Sequence, residues 1–92
     1  MLWKGLFMKY VYLLESISRP DKKYIGITNN FSQRIKEHNA GKSPYTSEYK
    51  PWETAVVIRF NDGRKAEAFE KYLKNGSGHA FAKRHFWRHN SS

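Results

Sequence analysis

The chain has 92 residues, enough for one small domain with a modest core, since folding at this size buries only about two-thirds of the surface. Seventeen Lys and Arg against eight Asp and Glu give a net charge of +9, which favours a polyanionic partner and argues against cationic substrates. The lack of cysteine excludes a disulfide scaffold and a cysteine nucleophile, and no stretch reaches the roughly 18 apolar residues that cross a membrane.

The first eight residues precede the first patterned segment, so we treat residues 1–8 as an appendage and residues 9–92 as a single domain. The apolar stretch Met1–Phe7 is shorter than the hydrophobic region of a signal peptide, and no small-residue cleavage site follows it. With neither an export signal nor cysteine, the expected location is the cytoplasm.

A β-hairpin is predicted at the start of the domain. Tyr10–Leu14 and Lys23–Thr28 are β-branched and aromatic runs of strand length. The segment Ser16–Lys22 between them carries a proline and an aspartate, which favour a turn. The two runs are therefore expected to form adjacent antiparallel strands.

The register of this hairpin follows if its strands fold symmetrically about Ser18. Tyr12 then lies opposite Tyr24. Tyr10 lies opposite Gly26, and a ring over a strand glycine is a favourable cross-strand pair. The connection is long enough for a slip of one residue, so this pairing is a hypothesis.

A helix is predicted after the second strand. Asn29-Asn30 supplies N-cap side chains for a helix that begins near Phe31. Ile35 follows one turn later and is expected to face the sheet. The helix ends near residue 41, and the polar segment Lys42–Lys50 is predicted to be an ordered loop.

A third strand, Thr54–Phe60, is predicted after Pro51-Trp52, because proline is tolerated at the start of a strand. Both of its faces are largely apolar, which indicates an interior strand covered on both sides. Asn61–Gly63 then forms a turn.

Two helices complete the predicted domain. Arg64–Lys74 carries apolar residues with the spacing of an amphipathic helix, and Asn75–Gly78 ends it. A last, basic helix covers His79–His89. The order ββαβαα predicts an α+β fold in which a three-stranded antiparallel sheet is flanked by helices.

Two tyrosines on the paired strands, Tyr12 and Tyr24, are candidates for chemistry. A tyrosine in a strand is usually structural, because its ring suits a half-buried pleated surface. The functional alternative is that both phenols converge on a reacting atom and position or activate water. Because a free phenol has a pKa of about 10, a base role needs a nearby cation. Lys22, Lys23 and Arg34 are close in sequence.

Arg34 and His38 lie one turn apart on the first helix and are expected at the rim of its contact with the sheet. A guanidinium that holds a phosphate, beside an imidazole that moves a proton, suits phosphoryl transfer. The alternative is a solvated polar face that these residues share with Lys36 and Glu37.

Glu70 borders the apolar face of its helix. The structural account is an ion pair with Lys74, four residues further on. The functional account is a Mg²⁺ ligand, because hard divalent cations take carboxylate oxygen and keep several waters. Spacing alone does not choose between the two.

The basic excess favours a surface that follows phosphates, with a solvated charged face as the alternative. The basic residues predicted to contact nucleic acid are Lys23, Lys36, Lys42, Lys74, Lys83 and Arg84. Four aromatic residues are available to stack on unpaired bases, namely Tyr45, Tyr49, Trp52 and Trp87. No zinc-ligand pattern and no Ser/His/Asp arrangement occurs in the sequence.

Taken together, these segments resemble the GIY-YIG nuclease domain family over roughly residues 9–88. Tyr24-Ile25-Gly26 is the second half of the signature, and Tyr10-Val11-Tyr12 replaces the first half, with tyrosine where the motif has glycine. Further matches follow in order as Gly26–Asn30, Arg34, His38–Gly41, Tyr45-Thr46, Pro51-Trp52 and Glu70–Lys74. The chain looks most like the small stand-alone bacterial members.

The resemblance implies hydrolysis of DNA rather than RNA, with Mg²⁺ or Mn²⁺ as cofactor and products that carry 5′-phosphate and 3′-hydroxyl ends. By carry-over, Tyr12 and Tyr24 would activate or position water, and Arg34 would bind the scissile phosphate. His38 would assist proton transfer or orient a tyrosine, and Glu70 would hold the metal ion.

The leading hypothesis is therefore a small metal-dependent endonuclease, in which Lys23 is a further candidate as a cation that lowers the pKa of a phenol. A nucleic-acid-binding module with weak or no catalytic activity is the alternative, because a domain of this size has little surface for choosing a sequence. A plain interaction domain that uses the apolar N-terminal segment is the third hypothesis.

Overall fold

A computed structural model describes residues 7–88, so residues 1–6 of the predicted appendage and His89 of the predicted last helix lie outside the described residues. The elements are β1 (Lys9–Ser16), β2 (Lys23–Thr28), α1 (Phe31–Asn39), α2 (Pro44–Glu48), β3 (Trp52–Phe60), α3 (Gly63–Leu73) and α4 (Gly76–His85). The predicted α+β architecture, a three-stranded antiparallel sheet flanked by helices, is confirmed. No helix between residues 7 and 88 has the length and apolar character to span a membrane.

The strands lie in the order β2-β1-β3, and both outer strands run antiparallel to β1. β1 is the central strand, and its residues are buried from Val11 to Ser16. The prediction that β3 is the interior strand is therefore wrong, since β3 lies at an edge and its Val57 is 41% exposed. Short β-branched side chains suit an edge strand as well as an interior one, so composition alone does not fix strand order.

The hairpin register pairs Tyr12 with Gly26. The predicted register, with Tyr12 opposite Tyr24, is wrong by two positions, and the predicted pairing of Tyr10 with Gly26 is wrong with it. Residues 17–22 form a connection that is too long to fix the register in the way a two-residue turn does. Because strand side chains alternate with a period of two, the error still leaves Tyr12 and Tyr24 on one face.

Helices cover both faces of the sheet. One buried cluster consists of Val11, Leu13, Ala66, Leu73 and Ala82. The other consists of Tyr12, Leu14 and Trp52, with Phe31 and Ile35 of α1 packed against it. Thus α3 and α4 cover one face, and α1 covers the face that carries the tyrosines, with Ile35 toward the sheet as predicted.

Two segments predicted as loops contain helix starts. The segment 42–50, predicted to be an ordered loop, contains α2, with Ser43 as N-cap and Pro44 in its first turn, where the missing N–H costs nothing. The predicted stop at residues 75–78 is also the start of α4, because the Asn75 side chain accepts a hydrogen bond from the backbone N–H of Gly78 at 3.4 Å. The last helix accordingly begins at Gly76 and ends at His85.

Candidate active site

Tyr12 on β1 and Tyr24 on β2 lie side by side, with ring centroids 6.1 Å apart. Gly26, the residue opposite Tyr12, makes this approach possible. A Cβ atom at Gly26 would lie 2.9 Å from Cε2 of Tyr24 and would also run into the phenol of Tyr12. The glycine therefore leaves room for both rings, and the fold brings the two candidate tyrosines together.

A chain of hydrogen bonds leads from Tyr12 into the interior. Nε2 of His38 lies 2.9 Å from Oη of Tyr12, and Nδ1 of His38 lies 2.7 Å from Oγ1 of Thr46. The Thr46 hydroxyl also lies 3.4 Å from the carbonyl oxygen of Ser43, which can only accept. Thr46 can therefore donate its single hydroxyl proton to Ser43 and accept the N–H of Nδ1.

The tautomer of His38 decides the direction of its hydrogen bond with Tyr12. Burial lowers the pKa of His38 and the Arg34 guanidinium lowers it further, so the imidazole is neutral at pH 7 and carries one N–H. With that proton on Nδ1, Nε2 is an acceptor, and the Tyr12 O–H donates to it. The lone pairs of the Tyr12 oxygen remain available to accept from another donor.

The position of His38 at the rim of the α1–sheet contact, expected from the sequence, is wrong. Its side chain is fully buried, and so is that of Thr46. The unpredicted helix α2 supplies Thr46 and thereby the second partner that a buried imidazole needs, while Tyr12 supplies the first.

Burial raises the pKa of Tyr12 to about 12, although the Arg34 guanidinium acts in the opposite direction. Arg34, one of the cations expected near this phenol, does lower its pKa, but burial has the larger effect, and Tyr12 is protonated at neutral pH. Lys23 lies on the opposite face from Tyr24, because consecutive residues of a strand alternate. Its Nζ donates to the carbonyl oxygen of Pro20 at 2.6 Å.

Arg34 lies on α1 and is partly exposed. Its Nη1 lies 2.8 Å from Oε1 of Glu37, and this ion pair raises the pKa of Arg34 and lowers that of Glu37. The guanidinium also lowers the pKa values of the neighbouring Tyr12 and His38 groups. Its positive charge thus acts on the same two side chains that form the hydrogen-bond chain.

Glu70 lies on α3, the helix that packs on the sheet face opposite the tyrosines. Its Oε2 lies 2.6 Å from Nζ of Lys74, so the predicted ion pair along the helix is present, and the Glu70 side chain is 16% exposed. The fold therefore brings Tyr12, Arg34 and His38 into one group with Tyr24, whereas Glu70 approaches from the other side of the sheet.

A cavity of about 910 Å³ at the edge of β2 is lined by residues of β2, by Lys74 and by residues of α4 and the segment after it. Tyr24 lines it from the strand, and Lys74, the ion-pair partner of Glu70, lines it from the end of α3. Among the basic residues predicted to contact nucleic acid, Lys23, Lys74 and Lys83 line this cavity. Lys36, Lys42 and Arg84 are exposed elsewhere on the surface.

The residues predicted to stack on bases differ in the exposure of their side chains. Trp52 is 3% exposed and its indole N–H donates to the carbonyl oxygen of Thr46 at 2.7 Å, so its predicted role in base stacking is wrong. Tyr45, by contrast, is 45% exposed and stacks on the ring of Tyr24, with centroids 6.3 Å apart. Trp87 lines the cavity.

The carboxylate of Glu70 is a hard oxygen donor and is mostly covered, which suits Mg²⁺ or Mn²⁺ bound through one protein ligand. Residues 7–88 contain no cluster of three His, Asp or Glu side chains that could enclose a metal ion. An ion at Glu70 would be expected to take water and phosphate oxygen among its other ligands, as Mg²⁺ commonly does.

Thr46 is the site residue to which the sequence assigned no role. Its position depends on α2, and the available signal was the Ser43-Pro44 pair, which is typical of a helix start. Once that helix is recognised, a threonine in its first turn is a candidate partner for a nearby histidine.

The chain matches the family described as "GIY-YIG catalytic domain" over residues 8–84. It is 41% identical over 58 residues to "Structure-specific endonuclease subunit SLX1 homolog" of Giardia intestinalis, covering 60% of this chain and 16% of that protein. It is 37% identical over 68 residues to "UPF0213 protein CPE1444" of Clostridium perfringens, covering 73% and 71% of the two chains.

"Structure-specific endonuclease subunit SLX1" of Debaryomyces hansenii is 35% identical over 82 residues, which cover 82% of this chain and 22% of the yeast protein. The chain thus spans less than a quarter of the length of either SLX1 relative. The family match covers most of the described domain and includes both tyrosines, as the resemblance in sequence implied. The chain belongs to the GIY-YIG catalytic domain family.

Proposed function

We propose that this protein is an endonuclease that hydrolyses DNA phosphodiester bonds with the help of Mg²⁺ or Mn²⁺. Family membership and the names of the two SLX1 relatives support nuclease chemistry. The observation that carries the proposal is the hydrogen-bond chain from Tyr12 through His38 to Thr46, beside Tyr24 and the charge of Arg34.

The directions of these hydrogen bonds suit the removal of a proton from an attacking water. The oxygen of Tyr12 accepts a proton from the water while its own proton passes to Nε2 of His38. His38 becomes an imidazolium whose Nδ1–H still donates to Thr46. Because the pKa of Tyr12 is raised to about 12, the phenol acts as a relay and a phenolate is never required.

The remaining candidates have supporting roles. Arg34 binds the scissile phosphate, since a guanidinium offers two parallel donors and Glu37 holds it in place. Tyr24, adjacent to Tyr12 and at the edge of the cavity, orients the water or the phosphate. Glu70, whose carboxylate now pairs with Lys74, would hold the metal ion. The ion would supply positive charge that stabilises the transition state.

The second candidate function is a nucleic-acid-binding module with weak or no catalysis. The observation that favours it is the ion pair of Glu70 with Lys74, which occupies the proposed metal ligand. The division into an appendage over residues 1–8 and a domain over residues 9–92, and the cytoplasmic location, stand as proposals on the sequence grounds given above.

A cleavage assay over branched, nicked, single-stranded and duplex DNA, with Mg²⁺ or Mn²⁺, distinguishes the two functions. We expect Glu70→Gln to lower the cleavage rate about a hundredfold or more, because one positive ion stabilises the transition state by several kcal/mol. Glu67→Gln is the matched control on the same helix, since Glu67 pairs with Lys9 at 2.7 Å and is half exposed. Equal activity of both variants and the wild type would overturn the catalytic role of Glu70.

A further inference from the structure

The cavity at the edge of β2 has Tyr24 in its lining together with residues that the proposed cleavage mechanism does not use. Residues 23–25 of β2 line one wall, and Lys74, Lys83 and Trp87 line the other. Its volume of about 910 Å³ lies near the upper end of the range of about 300–1,000 Å³ that is typical of small-ligand sites. It is therefore large enough for a ligand that continues past the reacting group.

The lining is cationic. Lys23, Lys74, Lys83 and Arg88 contribute positive charges, and no acidic side chain is part of the lining. Carboxylates lie next to three of these cations. Glu15 is 3.6 Å from Nζ of Lys23 and 3.9 Å from Nε of Arg88. Glu53 is 2.8 Å from Nη2 of Arg88, and Glu70 pairs with Lys74.

Lys83 makes no ion pair with any residue between 7 and 88, and it is an exposed residue of α4 that lines the cavity. Its ammonium is therefore available to a negatively charged ligand without the loss of a contact inside the domain. The lining thus complements a polyanion, with Lys83 as the first point of contact.

The cavity also has an apolar part. Ile25 and the indole of Trp87 contribute to its lining, and Nζ of Lys23 lies 5.4 Å from the centre of the Trp87 ring, where the cation–π contact helps to fix the ring. A DNA duplex presents phosphates and groove edges but keeps the faces of its bases stacked inside. An unpaired strand presents phosphates and base faces together, and aromatic side chains stack on such bases without regard to sequence.

We propose that this cavity binds an unpaired DNA strand, with phosphates held by Lys83 and Lys74 and a base stacked on Trp87. The proposal rests on the proposed function, because Tyr24, one of the residues proposed to act in cleavage, also lines the cavity. An unpaired strand in this cavity would direct cleavage to phosphodiester bonds that adjoin single-stranded DNA.

Binding in EDTA, where metal-dependent cleavage cannot proceed, tests the proposal separately from the nuclease activity. Fluorescence anisotropy measures the affinity of the full chain for a labelled oligothymidine and for a duplex of the same length. We expect Trp87→Leu to weaken single-strand binding about tenfold, as for the loss of one stacked base, and to leave duplex binding nearly unchanged. Thermal unfolding of the same variant checks that the domain remains folded.

Lys83→Glu provides a second variant that does not disturb the packed residues. We expect it to weaken single-strand binding and to lower the salt dependence, the slope of log Kd against log salt, by about 0.7. Lys65→Glu is the control, since it makes the same charge change at an exposed position near the start of α3, away from the cavity. A loss of single-strand affinity in Lys83→Glu that exceeds the loss in Lys65→Glu supports the site.

Three results would overturn the proposal. The first is that Trp87→Leu and Lys83→Glu both keep the wild-type affinity for oligothymidine. The second is that the variants lose equal affinity for the duplex and for the single strand. The third is that a polyglutamate peptide at matched charge concentration displaces oligothymidine. The last result would show that the cavity recognises negative charge alone. Cleavage that depends on Glu70 with unchanged single-strand binding would reject this site and leave the nuclease function standing.

Discussion

The oxygen of Tyr12 and Nε2 of His38 lie 2.9 Å apart, and both side chains are buried. A phenol that donates to a neutral imidazole can accept a proton from water and pass its own proton on in one step. In the proposed mechanism the pair therefore couples proton transfer from water to a histidine that solvent does not reach. The relay requires His38 to be neutral, so that Nε2 can accept the proton of Tyr12.

We expect the pH dependence to report His38. Because its pKa is lowered in the folded protein, the unfolded chain binds the proton first as the pH falls below about 6.5. The free energy of unfolding therefore decreases as the pH is lowered through this range toward the folded-state pKa. Urea unfolding of the wild type and of His38→Gln between about pH 4 and pH 8, a range that includes the ordinary imidazole pKa of about 6.5, measures the difference in the free energy of unfolding.

The same lowered pKa extends the active range, since His38 stays neutral below the pH at which a free imidazole protonates. A solvated imidazole has a pKa of about 6.5. We therefore expect the cleavage rate to fall with acid only below about pH 6.5. A stability difference between wild type and His38→Gln that does not change with pH would contradict the assignment.

Thr46→Val tests the hydrogen-bond direction. Valine preserves the shape but cannot accept from Nδ1, so we expect a loss of about 1–3 kcal/mol in the free energy of unfolding for the unpaired buried N–H. The cleavage rate should fall about a hundredfold, within the range of general acid–base catalysis, while substrate binding is retained. Thr46→Ser keeps the hydroxyl and should restore the rate; if it did not, the threonine would act through its shape alone.

Gly26→Ala tests the close approach of the two rings. The added methyl group would lie 2.9 Å from Cε2 of Tyr24 and would also displace Tyr12. A displacement of about 1 Å at a reacting centre costs about a hundredfold in rate, so we expect a folded protein with strongly reduced cleavage. Circular dichroism confirms the fold, and an unchanged rate would show that the ring positions are not critical.

Gly78 and Gly76 form a matched pair within the first turn of α4. A Cβ at Gly78 would lie 2.6 Å from Cα of Leu73 and would meet the backbone of Tyr72, whereas a Cβ at Gly76 has no neighbour within 4 Å. We expect Gly78→Ala to lower the free energy of unfolding by about 1–3 kcal/mol through overpacking.

Gly76→Ala should be neutral or stabilising by up to about 1 kcal/mol, because alanine favours helix more than glycine does. Thermal unfolding of the two variants is the measurement. Equal unfolding midpoints of the two variants would mean that α4 moves freely against α3 and that the close contact at Gly78 does not affect stability.

The parts of the fold that depend on local chemistry were predictable. Asn30 caps α1 as expected, accepting from the backbone N–H of Gln33 at 3.3 Å, because this choice depends only on neighbouring residues. The pairing of Tyr12 with Gly26 was not predictable, because the loop between the strands leaves several registers open. Strand order was not predictable either, since edge and central strands share the same residue preferences.

The candidate site follows the same division. The residue types of Tyr24, Arg34 and Glu70 indicated their chemistry, but their neighbours depend on tertiary packing. Burial of His38 required α2, a helix of five residues that periodicity does not detect. Burial also raises the pKa of Tyr12 and outweighs the lowering by Arg34, and this balance depends on packing that neighbouring residue types do not reveal.

The open edge of β2 has a consequence for the solution behaviour of the protein. Unpaired backbone groups on an outer strand can recruit the equivalent strand of another copy, which is a common route to aggregation. Tyr24, which the proposed mechanism places in the active site, lies on this edge strand, so covering the edge would obstruct the site. Mutual repulsion between molecules of charge +9 then keeps them apart, and we expect concentrated protein to self-associate when high salt screens that repulsion.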